Sequence, residues 1–96
     1  MLSDFAEVVL SYAETVPAGR VTTYGSIADA IGRGSARNVG QVMSAYGREV
    51  PWWRVVRANG SLPSFLMVDA QEHWIEEHTP MRGGAVDLTL ALWPGF

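Results

Sequence analysis

Gly32-Arg33-Gly34 constrains this chain more than any other stretch. Glycine is the residue that most readily ends a helix in left-handed backbone, and here two glycines separate two short segments of helical apolar spacing. Each segment is preceded by a hydroxyl residue able to cap a helix amino terminus. Thr23 predicts a helix running to about Ile31, and Ser35 predicts a second over Ala36–Tyr46, with Val39, Val42, Met43 and Tyr46 as its inward stripe. Two short helices joined by a glycine turn form a helix-turn-helix pattern. No cysteine occurs, which excludes a disulfide framework and Cys-type zinc sites and leaves packing alone to hold the fold. A chain of 96 residues buries about 60 to 65% of its unfolded surface, room for one modest core and one site.

The flanking segments predict a mixed α/β (α+β) fold in a single domain, 1–96, built around a winged helix-turn-helix-like core. Ser3 caps an amphipathic helix to Glu14, with Phe5, Val8, Val9, Tyr12 and Ala13 at helical spacing. Val16-Pro17-Ala18-Gly19 is a turn, and Arg20-Val21-Thr22 is extended. Glu49 to Leu62 reads as an extended segment with a turn at Asn59-Gly60. Asp69-Ala70-Gln71-Glu72 is a capping-box pattern that opens a helix to about His78. Pro80, Gly83 and Gly84 interrupt the chain, after which Val86, Leu88, Leu90 and Leu92 alternate as in a half-buried terminal strand. Trp74 and Trp93 are expected to fill core space.

No apolar run approaches the roughly 20 residues that span a bilayer, and Asp4 and Glu7 stand where a signal peptide would be basic. A cytoplasmic location, with no membrane partner, is expected. The net charge of −3 looks wrong for a nucleic-acid ligand, which calls for cationic surface to displace counterions. Its distribution does not. Between Arg20 and Arg57 lie six of the seven basic residues against only Asp29 and Glu49. All seven are arginine, the side chain suited to bidentate and stacked contacts with phosphates and bases. The alternative is a solvated basic face with no partner.

Within the second helix of the pair, Ala36 and Gly40, with Gly47 beyond, lie at helical spacing beside Arg37. Small side chains let a helix backbone approach a nucleic acid or, equally, another helix of the same protein. His73 and His78, five apart, do not share a helix face, so no metal site is expected. Asp69, Glu72, Glu76 and Glu77 read as a solvated helix face. No Ser/His/Asp or paired-carboxylate arrangement marks a catalytic centre, and no cofactor is implied.

Pro51-Trp52-Trp53-Arg54-Val55 resembles the Pro-Cys-His-Arg-Val motif of the DNA alkyltransferases that repair O6-alkylguanine, with Trp52 at the cysteine position and Trp53 at the histidine position. Ser35-Ala36-Arg37-Asn38-Val39-Gly40 resembles that family's Ala-Ala-Arg-Ala-Val-Gly, and Thr22 to Ala28 its first recognition-pair helix. The resemblance spans Val16 to Ser61 and is to the cysteine-free alkyltransferase-like branch. It implies a non-enzymatic sensor of O6-alkylguanine in double-stranded DNA that flags lesions for nucleotide excision repair. A monomer with no cofactor is expected, its partners being lesion-bearing DNA and excision-repair proteins.

The implied roles follow by position. Thr23, Tyr24, Ser35, Ala36, Arg37 and Gly40 contact DNA, with Tyr24 driving rotation of the nucleotide and Arg37 entering by the minor groove to fill the vacated space. Met43, Trp52, Val55 and Phe65 line the pocket for the flipped base, Val55 through its backbone carbonyl. The family's glutamate falls near Thr79, and Arg54 is a structural tie. Leu62 to Met67 lacks the family's loop glycines, and its apolar composition favours apolar adducts. Two other functions remain open from the residues: a helix-turn-helix regulator of undamaged sequence, for which Ala36, Gly40 and Ser44 are poor base readers, and an enzyme with a nucleophile other than cysteine.

Overall fold

The computed structural model describes residues 2–95; Met1 and Phe96, the ends of the 1–96 span, lie outside the described residues. Helix α1, Asp4–Thr15, begins at Ser3, whose Oγ accepts from the Ala6 N–H. Strand β1, Thr22–Thr23, runs directly into α2, Tyr24–Ile31, and α3 spans Ala36–Tyr46. Thr23 Oγ1 accepts from Ser26 N–H at 3.1 Å. Ser35 and Asn38 close a reciprocal capping box at the start of α3. Between the helices Gly32 holds a left-handed φ of 72° and returns its N–H to α2, so the glycine turn ends one helix and aims the next.

After α3 the chain departs from the extended path expected for Glu49–Leu62. Two single 3-10 turns, Gly47–Glu49 and Trp52–Arg54, bracket Pro51, and only Val55–Val56 forms a strand, β2. It pairs in parallel with β1, Thr22 opposite Val55 and Thr23 opposite Val56. Because successive strand residues face opposite ways, Val55 enters a cluster built on α1, α2 and α3, and Val56 enters another with Val21, Leu62, Ala70, Trp74, Val86 and Ala91. The turn beyond is fixed by Gly60, whose φ is 83°. A Cβ there would collide with the Val86 carbonyl, and the Val86 N–H donates to the Gly60 carbonyl.

Helix α4 spans Ser64–Glu76 and so begins five residues before the expected start at Asp69. Asp69 is an exposed residue inside it. Pro63, with φ −50°, starts the turn, and the stripe Leu66, Met67, Ala70 and Trp74 lays the whole helix on the second core. Residues 64–67 are therefore helix, not loop. Trp74 is fully buried, its Nε1 donating to the Trp53 carbonyl at 2.7 Å. Trp93 is only half-buried, tilted against Tyr12 at 5.8 Å.

The expected terminal strand also proves different. Met81–Arg82 (β3) and Ala85–Val86 (β4) form a two-residue hairpin about Gly83-Gly84. Asp87 then caps a short helix α5, Leu88–Ala91, by accepting from Thr89 N–H. A cap is a local signal that outweighs apolar alternation, and it leaves Ala91 buried with Leu90 and Leu92 exposed. The result is a helix-dominated α+β fold carrying a winged helix-turn-helix-like pair, α2 and α3, on two small clusters. Among the described residues no helix is long and apolar enough to cross a membrane.

Candidate nucleic-acid interface

A cavity of about 380 Å3 opens where the end of α3, the Pro51–Trp53 turn and the first turn of α4 meet. Met43, Trp52 and Phe65 line it together, and Tyr24 and Gly40 line it from the helix pair. The β1–β2 register explains why these residues meet: β1 feeds directly into Tyr24, and the turn that carries Trp52 feeds directly into β2. Trp52 is half-buried and packs against both clusters, as does Tyr24.

A Cβ at Gly40 would touch the Tyr24 ring at 3.8 Å, an ordinary contact. Internal packing therefore does not demand glycine there, and its small size serves the open face of α3. Ala36 differs, because a Cβ on Gly25 would lie 3.9 Å from the Ala36 Cβ, where α2 and α3 approach. Arg37 is exposed on α3, and its guanidinium makes no hydrogen bond or ion pair among the described residues. It lies outside the cavity lining, on the same helix as Gly40 and Met43. The Thr23 and Ser35 hydroxyls are engaged as helix caps. Val55 is fully buried and does not line the cavity. Phe65 lines it from the rim, with 81% of its surface exposed.

Behind the cavity the aromatic and charged groups are locked. Trp53 stacks on His73 at 3.6 Å and 5°, and both rings stand edge-on to Trp52 at 5.6 and 5.8 Å. Trp53 Nε1 donates to Glu77 Oε2 at 3.0 Å, Arg54 Nε donates to Oε1 at 3.0 Å, and the Gly19 N–H donates to Oε1 at 3.2 Å. Arg54 Nη2 completes a bidentate pair, and its Nη1 reaches the Val16 carbonyl at 3.0 Å. Arg54 is thus the structural tie expected of it. Glu77, expected on a solvated face, is instead half-buried and holds four donors. Burial alone would raise its carboxyl, but hydrogen bonds from Arg54, Trp53 and Gly19, with the Arg54 charge, bring it below the ordinary value. Thr79 is buried, and its hydroxyl has no hydrogen-bond partner among the described residues.

Tyr24 has its hydroxyl pushed up by burial, with the Arg57 charge working against that shift. Arg57 follows Val56 just as Tyr24 follows Thr23, so both leave the same end of the parallel ladder, and both line the cavity. The cavity is also lined by Ser44 and Gly47, by Leu62, Pro63 and Leu66 of the apolar segment after Gly60, and by Arg48 and Arg57, which the sequence did not assign to a pocket. Arg48 and Arg57 belong to the basic stretch read in the sequence, but the 3-10 turn after α3 and the strand register are what bring them to the cavity. Among the described residues no group of three or more His, Asp or Glu gathers as a metal site.

The model of the 6-O-methylguanine DNA methyltransferase DNA-binding domain matches residues 4–78. A DNA base-flipping protein of Vibrio parahaemolyticus is 33% identical over 64 residues, 64% of this chain and 64% of its own length. Alkyltransferase-like protein 1 of Schizosaccharomyces pombe is 39% identical over 64 residues, 64% of this chain and 59% of its own. The match thus spans under two thirds of either curated relative. In structure, S. pombe Atl1 in complex with damaged DNA containing O6-carboxymethylguanine superposes with a TM-score of 0.81 at 29% identity, covering 97% of this chain and 98% of that one. Mycobacterium tuberculosis O6-methylguanine methyltransferase gives 0.71 at 32% identity, covering 94% of this chain and 56% of that one.

Proposed function

This chain belongs to the family of the 6-O-methylguanine DNA methyltransferase DNA-binding domain, on its cysteine-free, alkyltransferase-like side, and from that premise we propose that it is a non-enzymatic sensor of O6-alkylguanine in duplex DNA. The observation that carries the proposal is the 380 Å3 cavity walled by Trp52 and bordered by the open face of α3. Alkyl transfer needs a thiolate or an equivalent nucleophile, and the cavity presents an indole at the position where the family motif has cysteine.

In this reading one molecule lays α3 in the minor groove, where Ala36 and Gly40 allow close approach and the amino termini of α2 and α3, at Thr23 and Ser35, face phosphates. Tyr24 presses on the backbone beside the lesion and Arg37 occupies the gap, its planar guanidinium stacking and donating to the orphaned base. Extruding a base costs a few kcal/mol, and each base–aromatic contact returns about 1 to 3 kcal/mol. Trp52, with Met43 as a flexible apolar wall, therefore roughly offsets the cost. The duplex bends around the helix pair, and the exposed complex marks the site for nucleotide excision repair.

The test is affinity for duplexes that differ only by one O6-methylguanine. Tighter binding to the modified duplex is expected, reduced about tenfold by Arg37→Ala and by Trp52→Ala, with no methyl group moved to protein. Trp52→Phe keeps most of the packing and should retain part of the preference. Equal affinity for both duplexes would indicate a regulator of undamaged sequence, and a methylated protein would indicate an enzyme.

A further inference from the structure

The Trp52 cavity has a chemistry that its apolar wall does not explain. Arg48 and Arg57 both line it, and no carboxylate does. They arrive from different elements, Arg48 from the 3-10 turn after α3 and Arg57 from the end of β2. Neither guanidinium has a hydrogen-bond or ion-pair partner among the described residues. Arg20, Arg33 and Arg54 are held internally, Arg20 donating to the Leu90 carbonyl, Arg33 to Asp4, and Arg54 to Glu77 and Val16, while the exposed Arg37 and Arg82 lie outside the cavity lining. The cavity is thus a place where unspent positive charge borders apolar surface. Arg57 shares the cavity lining with the half-buried Tyr24, and its charge opposes the upward shift that burial causes at the Tyr24 hydroxyl.

We propose that Arg48 and Arg57 make this cavity selective for O6-alkyl adducts that end in an anion, a carboxylate above all. The proposal rests on the lesion-binding reading above and adds the adduct class to it. Leu62 to Met67 alone predict a preference for apolar adducts; two arginines from outside that segment reverse it. A methylene next to O6 packs on Trp52 and Met43, and a terminal carboxylate would be stranded there without compensation. A guanidinium supplies that compensation in bidentate form and keeps its charge at every physiological pH. The lining holds no acidic group to repel the adduct.

The competing role for the two arginines is to hold backbone phosphates, which would raise affinity for every duplex alike. The experiment separates the two by charge at constant shape. Fluorescence anisotropy is measured with one duplex sequence carrying guanine, O6-methylguanine, O6-carboxymethylguanine or the neutral O6-carbamoylmethylguanine. The wild-type protein should bind the carboxymethyl duplex about three- to tenfold tighter than the carbamoylmethyl duplex, the range for a charge-assisted contact in a partly open site. In Arg48→Gln/Arg57→Gln, with folding checked by thermal melting, that ratio should fall to about one.

A ratio near one in the wild type would overturn the proposal. So would a ratio that survives in the double variant, and so would a loss of affinity equal across all four duplexes, which is the signature of phosphate contacts. Failure of the parent reading has its own mark, equal binding of the guanine and O6-methylguanine duplexes, and would bring the adduct preference down with it.

Discussion

Trp52 and Trp53 are neighbours in sequence, yet the regions they face are built on opposite rules. Behind Trp53 the charges are matched: Glu77 holds donors from Arg54, Trp53 and Gly19, and His73 stacks on the indole. In front of Trp52 lie Arg48 and Arg57, and Arg37 stands exposed on α3 outside the cavity; none of the three guanidinium groups has a hydrogen-bond or ion-pair partner among the described residues. A satisfied half-buried network contributes to stability because removing one member strands the rest. Unmatched exposed arginines contribute little to folding and remain available to an anionic ligand. The contrast teaches where to look for each property: stability in the charges that are matched, recognition in those left over.

The contrast can be broken most severely at Glu77. Replacing it with alanine leaves Arg54, the Trp53 indole N–H and the Gly19 N–H facing a hole, and should lower the unfolding free energy by about 3 kcal/mol, measured by urea titration. Acid should produce a smaller, graded version. The Glu77 carboxyl is held below its ordinary value of 4.5 in the folded state, so the unfolded chain takes up the proton first. The stability it contributes is whole above 4.5 and is lost as pH falls through the lower, folded-state value. Glu77→Gln should be the less stable protein at neutral pH, and its urea midpoint should converge with that of the wild type as Glu77 protonates. A constant gap across the acid range would mean that the charge does not matter. The smallest effect belongs in front: Arg37→Ala should shift the unfolding free energy by less than about 0.5 kcal/mol, whatever it does to DNA affinity.

What the sequence made legible follows the reach of its signals. Helices α1, α2 and α3 were readable because caps and glycines act within three or four residues, as Ser3, Thr23, Ser35 and Gly32 do. The start of α4 is masked in the sequence because Asp69 and Glu72 imitate a cap while the true start, Pro63, has no side-chain cap at all. The stripe Leu66, Met67, Ala70, Trp74 carried the correct phase and could have extended the helix backwards. Asp87 similarly outweighed an alternating leucine pattern. The Arg54–Glu77 pair joins residues far apart in the chain, where no local pattern exists. Arg48 and Arg57 both belong to the basic stretch, yet Arg48 reaches the cavity through the 3-10 turn after α3 and Arg57 through a strand register that is only two residues long.

Two rings, Tyr24 and Trp52, belong to the borders of both hydrophobic clusters as well as to the wall of the cavity. They are the mortar between an amino-terminal half built on three helices and a carboxy-terminal half built on α4 and its hairpin. An occupant that stills those rings thereby stiffens the seam, so amide protons on both sides should exchange more slowly when the cavity is filled, including those of helices that touch no ligand.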